Sequence, residues 1–76
     1  MPAGETITAD ILARVEGAED ALFRLGYTDF RVRVFHGAAR LQLPRGQMER
    51  AVREAETIQA ALKPYFTPIL LDLEGR

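Results

Sequence analysis

The sequence predicts a small α+β domain in the order α-β-β-α-β. The expected architecture is a three-stranded mixed sheet with two helices on one face, a split β-α-β arrangement like a ferredoxin-like fold lacking the first strand. Two stretches repeat apolar residues at steps of three and four, the period of a helix. Between them, two short runs alternate apolar and polar residues around a glycine turn, the pattern of an antiparallel hairpin. After the second helical stretch, Pro68 opens a last alternating run from Ile69 to Leu73.

Residues 1–7 read as a short lead-in. Thr8 then suits an N-cap, because its hydroxyl accepts from a free first-turn N–H, and Asp10 places negative charge where the helix dipole favours it. Ile11, Val15, Ala18, Leu22 and Leu25 form one apolar stripe, with Gly17 inside the helix and Gly26 as a left-handed stop. From Phe30 the period changes to two. Phe30, Val32 and Val34 point one way, and Arg31, Arg33 and Phe35 the other. His36-Gly37 is the turn, and Leu41 and Leu43 then alternate with Arg40 and Gln42 until Pro44 and Gly46 end the hairpin.

The second helix is expected from Gln47 to Leu62, with a stripe of Met48, Ala51, Val52, Ala55, Ile58 and Leu62. Glu49 and Arg53 are an i,i+4 pair on its solvent side, and Lys63 and Pro64 close it. A crossover through this helix leads to a parallel strand. The expected sheet has the first strand in the middle. Its helix-covered face takes Val32, Val34, Leu41, Leu43, Ile69 and Leu71.

A chain of 76 residues makes one domain, spanning 1–76. At this size folding buries only about 60% of the unfolded surface, so the core is thin and small domains lean on a staple. Cysteine is absent and His36 is the single histidine, which leaves self-association as the remaining staple. A net charge of −1 argues against a general nucleic-acid role. No apolar run approaches the roughly 20 residues of a membrane span, and the N-terminus lacks signal-peptide character, so a cytoplasmic location is expected.

The uncovered sheet face is expected to carry Arg31, Arg33, Phe35, Arg40, Gln42, Leu70, Asp72 and Glu74. Three guanidiniums grouped this way can hold a phosphate through charge-assisted bonds. Asp72 and Glu74 can instead pair with them across strands, and alternating arginines are most often a plain solvated face. Phe35 and Leu70 among these charges suggest that another subunit or domain covers part of the face. His36 reads as a surface turn residue, with no nucleophile or second base placed beside it. Glu19 sits at the buried edge of the first helix. Neither Gly-rich phosphate-loop pattern occurs, so no means of binding ATP is visible.

Several stretches carry a family resemblance. They are Ile7-Thr8-Ala9-Asp10-Ile11-Leu12, Val15-Glu16-Gly17-Ala18-Glu19, Leu25-Gly26-Tyr27, Phe30 to Gly37, Ala39 to Pro44 and Leu71-Asp72-Leu73-Glu74-Gly75-Arg76. Together they resemble the C-terminal domain of the LarE-type ATP-dependent sacrificial sulfur transferases, in the PP-loop ATP pyrophosphatase superfamily. In that family a PP-loop domain binds ATP and, in the commonest form, holds a sulfur-donating cysteine. The C-terminal domain packs beside it, takes part in oligomer contacts and lends arginines to a phosphate site.

The resemblance carries these roles onto Arg31 and Arg33, onto Glu19 as the helix acid, and onto Arg76, where the family usually has one more residue after the glycine. The PP-loop domain itself is missing, including its S-G-G-x-D-S-type loop and its cysteine. The chain is therefore expected to be a stand-alone relative or a fragment, and not an enzyme by itself. The expected role is a non-catalytic binding and assembly domain without a cofactor. It would offer Arg31, Arg33 and Arg40 to a nucleotide phosphate or to a PP-loop ATPase partner domain, as a homo-oligomer or with that partner. The alternative is a self-associating structural module with no ligand, joined through its open sheet face or a sheet edge.

Overall fold

A computed structural model describes residues 8–76; the expected lead-in, residues 1–7, lies outside the described residues. Helix α1 spans Ala9–Arg24, and Thr8 caps it, its hydroxyl accepting from Ile11 N–H at 3.1 Å. At the other end Gly26 takes φ +96°. Tyr27 N–H donates to Leu22 O at 3.1 Å and Gly26 N–H to Phe23 O at 3.0 Å. This pair of bonds satisfies the last helical carbonyls and needs a left-handed residue between them, the role expected of Gly26.

Strands β1, Arg31–Phe35, and β2, Ala38–Gln42, pair antiparallel. His36 and Gly37 join them at φ +51° and +81°, the double left-handed turn that matches strand twist. Strand β3, Ile69–Leu71, runs parallel to β2, and the sheet order is β1-β2-β3. The second strand, not the first, is therefore central. The crossover brings the chain back beside the strand it left, and the small Ala38 and Ala39 let β2 be buried between two neighbours.

Two further expectations change. The second helix begins one residue after Pro44 and is interrupted at Glu54, giving α2, Arg45–Arg53, and α3, Ala55–Leu62. Glu54 takes φ −101° and ψ 23°, yet Glu54 N–H still donates to Arg50 O and Ile58 N–H to Glu54 O, both at 2.9 Å. The helix thus bends at Glu54, with hydrogen bonds still made to and from that residue. The last strand stops at Leu71, because the Asp72 carboxylate accepts from Glu74 N–H at 3.0 Å and Gly75 N–H donates to Asp72 O at 3.0 Å. That turn removes Glu74 from the sheet face.

Both helical layers cover one sheet face, as expected. Ala18 and Leu22 of α1, Ala51 of α2, and Ile58 and Leu62 of α3 join Val32, Ala39, Leu41 and Leu43 in one core. Phe66, from the loop before β3, is buried with them. Val52 departs from its expected stripe and is 64% exposed. Gly17 earns its place by packing: a Cβ there would come within 2.4 Å of the Tyr65 ring.

Tyr27 ties the layers together. It is fully buried, and its hydroxyl donates to Glu54 Oε1 at 2.8 Å. Arg50 lies 4.4 Å from the ring centroid, donates to the same Glu54 oxygen at 3.1 Å, and reaches the carbonyls of Leu25 and Gly26. The α1 terminus, the bend at Glu54 and the core are thereby joined through one side-chain cluster. Beside it, Gln47 and Thr28 exchange bonds of 2.9 and 3.1 Å.

Burial pushes the Tyr27 phenol up from 10.0 to about 12, helped by its bond to Glu54 and that carboxylate's charge. The folded pKa is raised, so this contribution to stability is complete below pH 10.0 and is lost as pH rises through about 12. Tyr27→Phe should therefore cost about 1 kcal/mol at neutral pH and flatten the alkaline fall of the melting temperature. Gly17→Ala should lower stability on the order of 1 kcal/mol, because crowding of Tyr65 outweighs the roughly 1 kcal/mol gained in helix propensity. Thermal unfolding of each variant, with the pH series for Tyr27→Phe, checks both.

Candidate functional site

The uncovered sheet face gathers three of the arginines singled out from the sequence. Alternation along β1 turns Arg31 and Arg33 away from the buried Val32. The hairpin register then sets Arg40 directly opposite Arg33, and Gln42 opposite Arg31. Like charges facing each other across strands destabilise a sheet, so the Arg33–Arg40 pair needs compensation.

Part of it comes from a relay of polar groups. Arg33 Nε donates to Gln42 Oε1 at 3.3 Å, and Gln42 Nε2 donates to Asp72 Oδ2 at 3.2 Å. Arg40 Nε stands 3.7 Å from that same oxygen, an ion-pair distance too long for a hydrogen bond. This Nε is buried and has no hydrogen-bond partner among the described residues. The bond from Gln42 is the largest influence holding the Asp72 carboxyl below its ordinary value. The Glu74 N–H and then the Arg40 charge act in the same direction, while partial desolvation opposes them.

Of the three guanidiniums on this face, Arg40 stands at ion-pair distance from Asp72 and Arg33 reaches it through Gln42. Among the described residues, Arg31 and Arg33 belong to no ion pair. Arg33, Arg40 and Gln42 line a shallow open groove that continues past β1 to Leu12 and Val15 of α1. Charged donors beside an aliphatic wall suit an anion attached to a less polar group.

The other candidates lie elsewhere. Glu19 is half-buried on α1, in the layer that packs against the opposite sheet face, and no ion pair joins it to these arginines. Arg76 N–H donates to Leu43 O at 3.0 Å, one residue beyond Gln42, and the Arg76 side chain is exposed at that end of the sheet. A Cβ on Gly75, at φ +75°, would meet Leu43 O at 2.8 Å, so this approach requires glycine. Phe35 is exposed at the far end of β1, edge-on to His36 in the turn. Sequence reasoning did not single out Gln42 as the bridge from Arg33 to Asp72. Its place opposite Arg31 follows only from the hairpin register.

No family model matches the chain. A curated relative, the uncharacterized protein slr1717 of Synechocystis sp. (strain ATCC 27184 / PCC 6803 / Kazusa), is 42% identical over 78 residues, covering 99% of this chain. The chain spans only 29% of that relative's length.

The depressed folded pKa of Asp72 means that its contribution is present above the ordinary aspartate range and is lost as pH falls through the lower folded value. Gln42→Leu should move the Asp72 titration back toward the ordinary value. Carboxyl carbon shifts followed against pH read this directly.

Proposed function

We propose that the chain is a non-catalytic binding and assembly domain associated with a PP-loop ATP-dependent sulfur transferase. Its open sheet face offers Arg31, Arg33 and Arg40 to a nucleotide phosphate or to an acidic surface of the partner domain. The observation that carries this reading is the placement of Arg33 against Arg40, with Arg31 alongside and Asp72 as the carboxylate among them. An anion seated there would offset the like-charge cost and form the bidentate bonds that guanidinium geometry favours. The resemblance of the Arg31-Val32-Arg33 and Leu71-Asp72-Leu73-Glu74-Gly75 stretches to LarE-type C-terminal domains supports the assignment. So does a relative in which the matching stretch is 29% of a longer chain.

A second reading, a self-associating structural module without a ligand, draws support from apolar exposure around β3, at Val52, Leu70 and Leu73. It differs from the first in needing no anion.

Titration with pyrophosphate, followed by amide shifts, tests the leading reading. Perturbations should centre on residues 31–34 and 40–42 and weaken as salt is raised. Arg31→Ala and Arg33→Ala should each weaken binding about tenfold, the loss of one charge-assisted contact. Absence of any shift on this face at millimolar pyrophosphate would remove the ligand from the proposal.

A further inference from the structure

The two edges of the sheet are built differently. At the β3 edge, Pro68 O accepts from Ala39 N–H at 3.1 Å, and Asp72 N–H donates to Leu41 O at 2.9 Å. Both groups point toward β2. Main-chain groups alternate sides along a strand, so Leu70 also points toward β2, while the N–H and C=O of Ile69 and Leu71 point outward. Along this edge runs an apolar groove of about 170 Å³, with Val52, Ala55 and Ile58 of the bent helix pair as its other wall. Val52 and Leu70 are 64% and 38% exposed. Natural edge strands are commonly blunted by charge. β1 carries Arg31 and Arg33; β3 is Ile-Leu-Leu.

We infer that the β3 edge is a two-fold contact with a second copy of this chain, the two β3 strands pairing antiparallel about Leu70. In that register Ile69 of one copy lies opposite Leu71 of the other. Both residues carry outward-pointing groups, so the two symmetric pairs exchange N–H and C=O bonds completely. The two Leu70 residues meet as the non-hydrogen-bonded pair, the closer of the two spacings, with Cα atoms about 4.5 Å apart. Asp72 falls opposite Pro68, so no like charges meet, and its carboxylate is already held by Gln42 and Glu74.

Charge also selects this edge over β1. The same operation at β1 sets Arg33 against Arg33 when centred there, or Arg31 against Arg33 when centred on Val32. At β3 each copy brings main-chain groups that no described residue pairs, beside aliphatic side chains, and Val52 and Leu70 gain cover. The sheet becomes continuous through both copies. A two-fold axis normal to it keeps both arginine faces on one side and leaves them open. The contact deepens the self-association reading above and is independent of anion binding.

Sedimentation of the full chain from about 10 μM to 1 mM, a range suited to a small contact, tests it. The expected result is a concentration-dependent monomer–dimer equilibrium. Leu70→Lys and Val52→Glu, each confirmed as folded by its amide spectrum, should sediment as monomers throughout. A monomeric parent chain at every concentration overturns the contact, and so does a dimer that persists unchanged in both folded variants. The pyrophosphate titration is read separately. A monomer that binds pyrophosphate loses only the β3 contact, and a dimer that ignores it loses only the anion site.

Discussion

The Tyr27 hydroxyl donates to Glu54 while Arg50 covers the ring and reaches the last carbonyls of α1. Through these contacts one buried ring sets the end of the first helix against the bend of the second. A chain of 76 residues has a thin core, so the placement of its two helical layers matters more than in a larger domain. Those layers share Leu22, Ile58 and Leu62 and cover the face of the sheet that carries Val32 and Leu41. On the opposite face Arg31 and Arg33 are left exposed among the described residues.

On that face the arginines are arranged against local electrostatics. Arg33 and Arg40 oppose each other, and Asp72, reached through Gln42, is the carboxylate among them. A sheet designed only for stability would alternate charge signs across such a pair. Under the proposed function, an incoming anion would supply the charge-assisted bonds that this cluster of guanidiniums lacks. The two edges of the sheet also differ in charge. β1 carries charge that discourages pairing, and β3 offers an uncharged strand beside an apolar groove.

Much of this was legible in the sequence because it is encoded locally. Thr8, the three-and-four spacing of Val15, Ala18 and Leu22, and Gly26 define α1 within one stretch of chain. His36-Gly37 defines the hairpin, and alternation alone puts Arg31 and Arg33 on one face. Features set by distant contacts were not legible. The interruption at Glu54 coincides with its contact to Tyr27, which no window of the second helix contains. A hairpin followed by a crossover fits a third strand on either side, so the central place of β2 appears only in the fold. The turn at Asp72, closed by its own side chain, shortened β3 and withdrew Glu74 from the face. Glu19 was grouped with the arginines through family resemblance, and the fold leaves it in the helical layer. Phe66 lies in a loop without periodicity, yet the core takes it.

The anion site proposed for the open sheet face is held ready by the register of β1 and β2. The most direct measurement is of the guanidinium Nε–H resonances of Arg31 and Arg33 as pyrophosphate is added to the intact chain. Binding at this face should shift both signals and slow their exchange with water. Unchanged arginine signals at a pyrophosphate concentration that perturbs amides elsewhere in the domain would contradict it.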